Sequence, residues 1–221
     1  YNTVGDVEAE THGGSIYVTN NKGVINVETS GGEIKLENVG VVETAYTSGG
    51  SIYMDTSSGD VALKTSGGDI DLERVNGKAI VKTSGGDIEG NDIENGIEAI
   101  TSGGDIELEE IKGPVKALTS GGDVSVEMIK SDYNHQDKIY LESSGGEIKL
   151  KIPKQMPADI KALIKIKNFP WKDYMITSDF PELSGENIVK SKKTIKTSGK
   201  INGGGVPINL TTSNGDIKIE N

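Results

Sequence analysis

A pair of adjacent glycines recurs every 18 residues along this chain and limits the folds that the chain can adopt. Seven such pairs begin in phase, at Gly13, Gly31, Gly49, Gly67, Gly85, Gly103 and Gly121. The copy from 66 to 83 contains two turn signals, Ser-Gly-Gly and Asn-Gly, each followed by a short alternating segment. Because glycine reaches positive φ without a Cβ clash, we expect the paired glycines to have positive φ angles. The spacing predicts a repeat architecture with two turns in every 18-residue unit.

Side chains at equivalent positions of the repeat are apolar, and they alternate with polar residues along each unit. One column is Ile16, Ile34, Ile52, Ile70, Ile88, Ile106 and Val124. Alternation within a unit and apolar identity between units together predict stacked β-rungs around a shared core. Adjacent rungs should lie about 4.8 Å apart, with Ile70, Ile88 and Ile106 above one another. Glu43 and Gly90 break their columns, so we expect local irregularity at both.

The repeat becomes irregular towards the C-terminus. After Gly121 the next Gly-Gly pair arrives 24 residues later, and residues 168–193 lack the period altogether. Motifs of the same kind return near residues 197 and 212. The sequence therefore predicts one all-β domain over 1–221, a single-stranded β-solenoid similar to a parallel β-helix. Its 18-residue coils cover 1–150, and irregular C-terminal coils with a cap cover 151–221.

Composition excludes several classes of function. The chain has no cysteine, which excludes disulfides, thiolate metal sites and thiol nucleophiles. No apolar run approaches the roughly 20 residues that a bilayer-spanning helix needs, so membrane association is expected only through a segment absent from this chain. The net charge of −11 argues against nucleic acid as a partner. The charge is uneven, because 149–200 contains twelve lysines and five acidic residues.

The turns Thr-Ser-Gly-Gly-Asp-Ile and the closing stretch 201–220, INGGGVPINLTTSNGDIKIE, resemble a bacterial adhesin-like family, a domain of unknown function. The resemblance covers essentially the whole chain, and the closing Asn-Gly-Gly-Gly followed by Thr-Ser-Asn-Gly-Asp-Ile is its most specific part. It implies a β-solenoid of the kind often found in envelope-associated bacterial proteins. It brings no catalytic residues, and a surface role by analogy is an expectation only.

The most regular polar feature is an acidic column after the glycine pairs, at Asp69, Asp87, Asp105 and Asp123. Stacked carboxylates could share a calcium ion, but the nonapeptide spacing of calcium-binding rolls is absent. We expect each carboxylate to accept hydrogen bonds from amides of its own turn, with no metal and no cofactor bound. Outward acidic columns repeat in the same way, whereas an active site is a singular constellation. We therefore expect no catalytic residues and no enzyme activity.

Two further columns have a predicted role. The threonines Thr11, Thr29, Thr47, Thr65, Thr83, Thr101 and Thr119 share the inward parity of the apolar residues before them, which predicts a hydroxyl ladder at a turn rather than an outward ice-binding face. Tyr46, Ile100 and Leu118 are predicted to be outward yet apolar, with Lys64 and Lys82 interleaved. Such a column suits a surface covered by another segment or by a partner.

The aromatic residues of the aperiodic segment are the candidate cap or ligand surface: Phe169, Trp171, Tyr174 and Phe180. We favour a cap over the last rung, because stacked rungs expose unpaired backbone groups at their ends. The predicted function is a non-enzymatic interaction module, outside the cytoplasm in a bacterial cell envelope or at its surface, with a surface protein or glycan as partner. Two alternatives stay open: a structural spacer without a ligand, and a carbohydrate-binding or carbohydrate-active β-helix protein.

Overall fold

A computed structural model describes residues 5–129, 137–167 and 173–221. Up to residue 151 the strands are β1 (Val7–Thr11), β2 (Ile16–Thr19), β3 (Val24–Thr29), β4 (Ile34–Val39), β5 (Val41–Thr47), β6 (Ile52–Ser57), β7 (Val61–Thr65), β8 (Ile70–Val75), β9 (Ala79–Lys82), β10 (Ile88–Ile93), β11 (Ile97–Ile100), β12 (Ile106–Ile111), β13 (Val115–Thr119), β14 (Val124–Met128), β15 (Ile139–Ser143) and β16 (Ile148–Lys151). The later strands are β17 (Ala158–Lys165), β18 (Ile176–Ser178), β19 (Val189–Lys190), β20 (Thr194–Ile201), β21 (Val206–Ser213) and β22 (Ile217–Glu220). Two single-turn 3₁₀ helices, Pro181–Leu183 and Gly185–Asn187, lie between β18 and β19. The described residues contain no helix that is long and apolar enough to cross a membrane.

Each coil of the solenoid contributes one strand to each of two sheets. The first sheet begins β1-β3-β5-β7-β9-β11-β13-β15, and the second contains every even-numbered strand from β2 to β16 in reverse order. Within these stretches neighbouring strands are parallel, and Ile88 is in register with both Ile70 and Ile106. The predicted stack of 18-residue coils is therefore confirmed, with the further result that it has two faces.

The core is a single apolar layer between the two sheets. The isoleucine column is almost completely buried from Ile34 to Val124, at 0–1% exposure. In β4, β6, β8, β10 and β12 a third inward residue follows two outward ones, as with Val75 after Glu73 and Arg74. Arg74 has a φ of 51°, in the left-handed region, and this breaks the alternation so that Val75 turns inward.

Left-handed residues form a column of their own at 18-residue spacing. The non-glycine residues with positive φ in this column are Asn20, Asn38, Thr56, Arg74, Asp92 and Glu110. Asparagine tolerates this conformation, whereas threonine, arginine and glutamate adopt it at a cost of about 1 kcal/mol. The left-handed conformation at this turn is therefore set by the stack as a whole and not by the local preference of each residue.

The repeated glycines have a different role from the one predicted. Among the described residues the glycines with positive φ are Gly96, Gly113, Gly185, Gly203 and Gly204, and none of them belongs to a repeated pair. The second glycine of each pair is instead required by close approach. A Cβ at Gly86, for example, would overlap the backbone carbonyl of Gly68 on the preceding coil, and the same holds at Gly104 above Gly86. The expected positive φ angles are wrong, and axial packing is the physical reason for the glycine column.

One of the two column-breaking residues distorts the stack. Glu43 lies in a β-bulge of β5, where the register with β3 and β7 shifts, and Val42 takes the inward position at 1% exposure. The irregularity expected at Glu43 is confirmed. The one expected at Gly90 is wrong, because Gly90 keeps regular register with Leu72 and Leu108, whose side chains fill the space beside it.

The last coil of the chain is not the last coil of the stack. β21 lies between β15 and β17 in the first sheet, and β22 lies between β16 and β18 in the second. The chain thus runs past one coil position, forms β17 to β20, and returns to fill the gap. The antiparallel strands β20 and β19 complete the first sheet beyond β17. This insertion is the irregular C-terminal part that the sequence predicted without its topology.

Candidate interaction surfaces

The threonine column is a buried hydrogen-bonded ladder. The Thr83 hydroxyl donates to the carbonyl of Gly68 at 2.9 Å and accepts from the N–H of Gly86 at 3.3 Å. The same two bonds recur at Thr29, Thr47, Thr65, Thr101 and Thr119. These six hydroxyls lie inside the solenoid, which confirms the predicted ladder and leaves no outward threonine array in this column.

The aspartate column forms a second ladder, on the outside of the turn that contains the glycine pairs. Oδ1 of Asp69 accepts from the backbone N–H of Asp87 at 2.9 Å, and Asp105 and Asp123 continue the series at 2.7 Å. The carboxylates accept from a backbone N–H of the next coil. The prediction that they bond to amides of their own turn is therefore wrong. Within the described ranges no three acidic or histidine side chains are grouped as metal ligands would be.

The outer face of the second sheet carries a shallow acidic depression of about 340 Å³. Its charged lining consists of Asp71, Glu73, Glu89, Glu107 and Glu109. Burial raises the pKa of Asp71, and the nearby charges of Glu89, Asp69 and Asp87 raise it further. This face concentrates negative charge along several coils, as the outward acidic columns predict.

The outer face of the first sheet carries a larger groove of about 400 Å³, which crosses β3, β5, β7 and β9. We call it the Tyr46 groove and define it by Tyr46, Ala62, Lys64, Ile80 and Lys82. Glu28, Glu43 and Thr44 complete its polar rim. Because the β5 bulge puts Glu43 and Thr44 both on the outside, it widens the rim at one end.

Charge and ring geometry give the Tyr46 groove a defined polarity. Nζ of Lys64 lies 5.5 Å from the centroid of the Tyr46 ring. The pKa of the Tyr46 hydroxyl is lowered by hydrogen bonds with Ser48 and Ser66, and then by Lys64. Lysines therefore occupy one end of an apolar floor, and Glu43 occupies the other.

The predicted outward column continues past the groove. Ile100 and Leu118 are half-buried on the same face. Beside them, Lys82 and Lys116 both lie 3.4 Å from Oε1 of Glu98. Partial burial raises the pKa of Glu98, but the two lysines outweigh it and leave the pKa below its usual value. The column that the sequence singled out is therefore apolar at Tyr46, Ile100 and Leu118 and is interrupted by Lys64 and Lys82.

Ala62 and Ile80, which form the groove floor, were missed by the sequence reasoning. Both have the outward parity of their strands, and both are half-buried. Comparing the outward column two residues upstream would have found them, because Ala62 and Ile80 are consecutive apolar members of that column.

The candidate aromatic surface is only partly within the described residues. Tyr174 and Phe180 are buried at 2% and 6% exposure and belong to the core. Leu183, on the first 3₁₀ helix, is fully buried as well. Phe169 and Trp171 lie outside the described residues. The rings of Tyr174 and Phe180 are not available as a ligand platform, and the cap assignment of the whole segment stays a prediction.

The family model described as Toastrack DUF4097 matches residues 2–220. Neither the curated proteins nor the solved structures gave a match. The match spans nearly the whole chain, including the regular coils and the inserted last coil.

Proposed function

The chain belongs to the Toastrack DUF4097 family, and we propose that it is a non-enzymatic interaction module of a bacterial cell envelope or cell surface. In this proposal the solenoid presents side chains at fixed spacing to a surface protein or glycan, in the manner of an adhesin. Repeat proteins commonly bind partners through such extended faces.

The observation that carries the proposal is the Tyr46 groove. Its floor exposes the adjacent apolar side chains of Ala62 and Ile80, and Ile100 and Leu118 lie on the same face beyond Lys82 and Glu98. Charged side chains occupy most other outward positions of the regular coils. Contiguous outward apolar surface rimmed by charges is typical of protein interaction sites.

The repetition of the polar residues supports a non-enzymatic role. Asp71, Glu89 and Glu107 occupy equivalent positions on successive coils, so their surroundings are nearly the same. Catalytic carboxylates need different environments to act as acid and base. Burial beside like charges accounts for the raised pKa of Asp71.

A rigid spacer is the second candidate, and the two ladders favour it. Thr83 and Asp87 each tie their coil to a neighbouring one, and equivalent bonds recur along the stack. Hydrogen bonds between coils stiffen a stack, which suits a spacer between a cell and its surroundings.

A binding screen separates the two candidates. Purified protein applied to an array of bacterial and host-matrix glycans and matrix proteins should show saturable binding to at least one class. Binding to none of them, with the protein folded by circular dichroism, would favour the spacer.

A further inference from the structure

A third depression, of about 280 Å³, lies at the C-terminal end of the first sheet. We call it the terminal pocket. β17 contributes Lys161 and Leu163, and β20 contributes Lys196 and Ser198. Val189 on β19 lies opposite Lys196 and is 56% exposed. Asn187, at the end of the second 3₁₀ helix, completes the exposed rim.

Most of the described lysines of the regular coils are paired with a carboxylate, whereas the lysines around this pocket are not. Before residue 152, six lysines form salt bridges with carboxylates: Lys35, Lys82, Lys112, Lys116, Lys149 and Lys151. Within the described part of the chain the lysines at the pocket's end form none: Lys161, Lys165, Lys190, Lys192, Lys193 and Lys196. Uncompensated positive charge is therefore collected at one end of a protein whose net charge is −11.

We propose that the terminal pocket binds an acidic polysaccharide. The apolar faces of a sugar ring fit against Leu163 and Val189, and its hydroxyl groups suit the exposed amide of Asn187 and hydroxyl of Ser198. Carboxylate or phosphate groups on the sugar then meet Lys161 and Lys196. An apolar wall with a few convergent polar groups is the usual composition of a small-ligand site.

The shape and charge of the region favour a glycan over other anionic partners. A bilayer is flat, and it would reach the rim of a depression without filling it. Single-stranded nucleic acid is held by aromatic rings on which bases stack, and the described lining of the pocket contains no aromatic residue. The acidic coils further along the solenoid also repel a long polyanion, which confines binding to the lysine-rich end. This site is separate from the Tyr46 groove, so each can fail without the other.

The test compares binding of polygalacturonate, neutral dextran, polyphosphate and phosphatidylglycerol vesicles at low and moderate salt. The double variant Lys161→Gln/Lys196→Gln changes the pocket, and Lys78→Gln/Lys138→Gln is a matched control at exposed lysines elsewhere. We expect salt-sensitive binding of polygalacturonate and none of dextran, with the dissociation constant raised at least tenfold only in the pocket variant. A second variant, Val189→Gln, should weaken binding a few-fold.

Each other outcome overturns the proposal. Equal loss of affinity in the two double variants would show nonspecific attraction to lysines. Binding of polyphosphate or of the vesicles in preference to polygalacturonate would assign the lysines to a different partner. No binding of polygalacturonate at low salt would remove the site altogether. Because all four lysines are exposed, unchanged melting curves should accompany every variant.

Discussion

The carboxylate of Asp87 accepts a 2.7 Å hydrogen bond from the backbone N–H of Asp105, its counterpart one coil further on. The bond satisfies an amide at the corner of the solenoid and links the two coils outside the β-ladders. Aspartate at this position of each coil thereby links successive coils through its side chain.

The first prediction concerns the hydrogen bond between Asp87 and Asp105. Asp87→Ala removes the acceptor for the N–H of Asp105, and we expect a loss of about 1 kcal/mol in the free energy of unfolding. Asp87→Asn keeps an acceptor oxygen and should lose less. Glu89→Ala, at an exposed position of the next strand, is the control and should change stability by less than about 0.5 kcal/mol. Urea denaturation measures all three, and equal effects at residues 87 and 89 would contradict the ladder.

The second prediction concerns axial packing of the glycines. Gly86→Ala puts a Cβ into the backbone carbonyl of Gly68, so the coils must separate, and we expect a loss of about 3 kcal/mol or more. Gly85→Ala is the matched control, because its nearest atom outside the local chain, the Gly67 oxygen, would lie 3.4 Å from the new Cβ. It should cost about 1 kcal/mol at most. Similar losses in both variants would show that turn conformation, and not close approach, selects the second glycine.

The third prediction concerns pH. The pKa of Asp71 is raised in the folded protein by burial and by Glu89, Asp69 and Asp87, so the folded state binds this proton more tightly than the unfolded chain does. Stability from this group is therefore present below its ordinary pKa and is lost as pH rises through its raised pKa. Asp71→Asn should raise the melting temperature at pH 7 and leave it nearly unchanged at pH 3. Glu107→Gln, on the same face, is the control. An increase in the melting temperature of Asp71→Asn at pH 3 as large as the increase at pH 7 would contradict this direction of pH dependence.

The fourth prediction concerns the cap. Phe180 is 6% exposed beside the end of the second sheet, and Phe180→Ala should cost about 3 kcal/mol or more and increase self-association. Met175→Ala, at a position that is 51% exposed, is the control and should do neither. Calorimetry and light scattering make the comparison. If Phe180→Ala melts like the parent and stays monodisperse, the segment does not seal the stack.

Much of the fold was predictable because the same contact recurs in every repeat. Ile70, Ile88 and Ile106 could be stacked from spacing alone, since the same parity recurs in every unit. The inward turn of Thr83 followed from the same parity. The bulge at Glu43 was predictable as an irregularity, because burying a carboxylate in an apolar column costs more than adding a residue to a strand.

The parts that were missed depend on distances that a sequence does not state. The close approach that demands glycine at residue 86 depends on the coil-to-coil separation, and the partner of Asp87 is a residue 18 positions away. The insertion of β21 beside β15 joins Leu141 to Leu210, and no local signal chooses that pairing. Finding the groove floor at Ala62 and Ile80 requires a comparison of outward side chains on neighbouring strands.

Calorimetric titration of the strongest array ligand that polygalacturonate does not displace tests whether the Tyr46 groove is an interaction site. Three proteins are compared: the parent, Ile80→Glu in the groove floor, and Ser125→Glu at a similarly half-buried outward position of the second sheet. We expect a dissociation constant at least tenfold higher for Ile80→Glu and an unchanged one for Ser125→Glu, with all three proteins folded. Equal affinities for the parent and Ile80→Glu would contradict it.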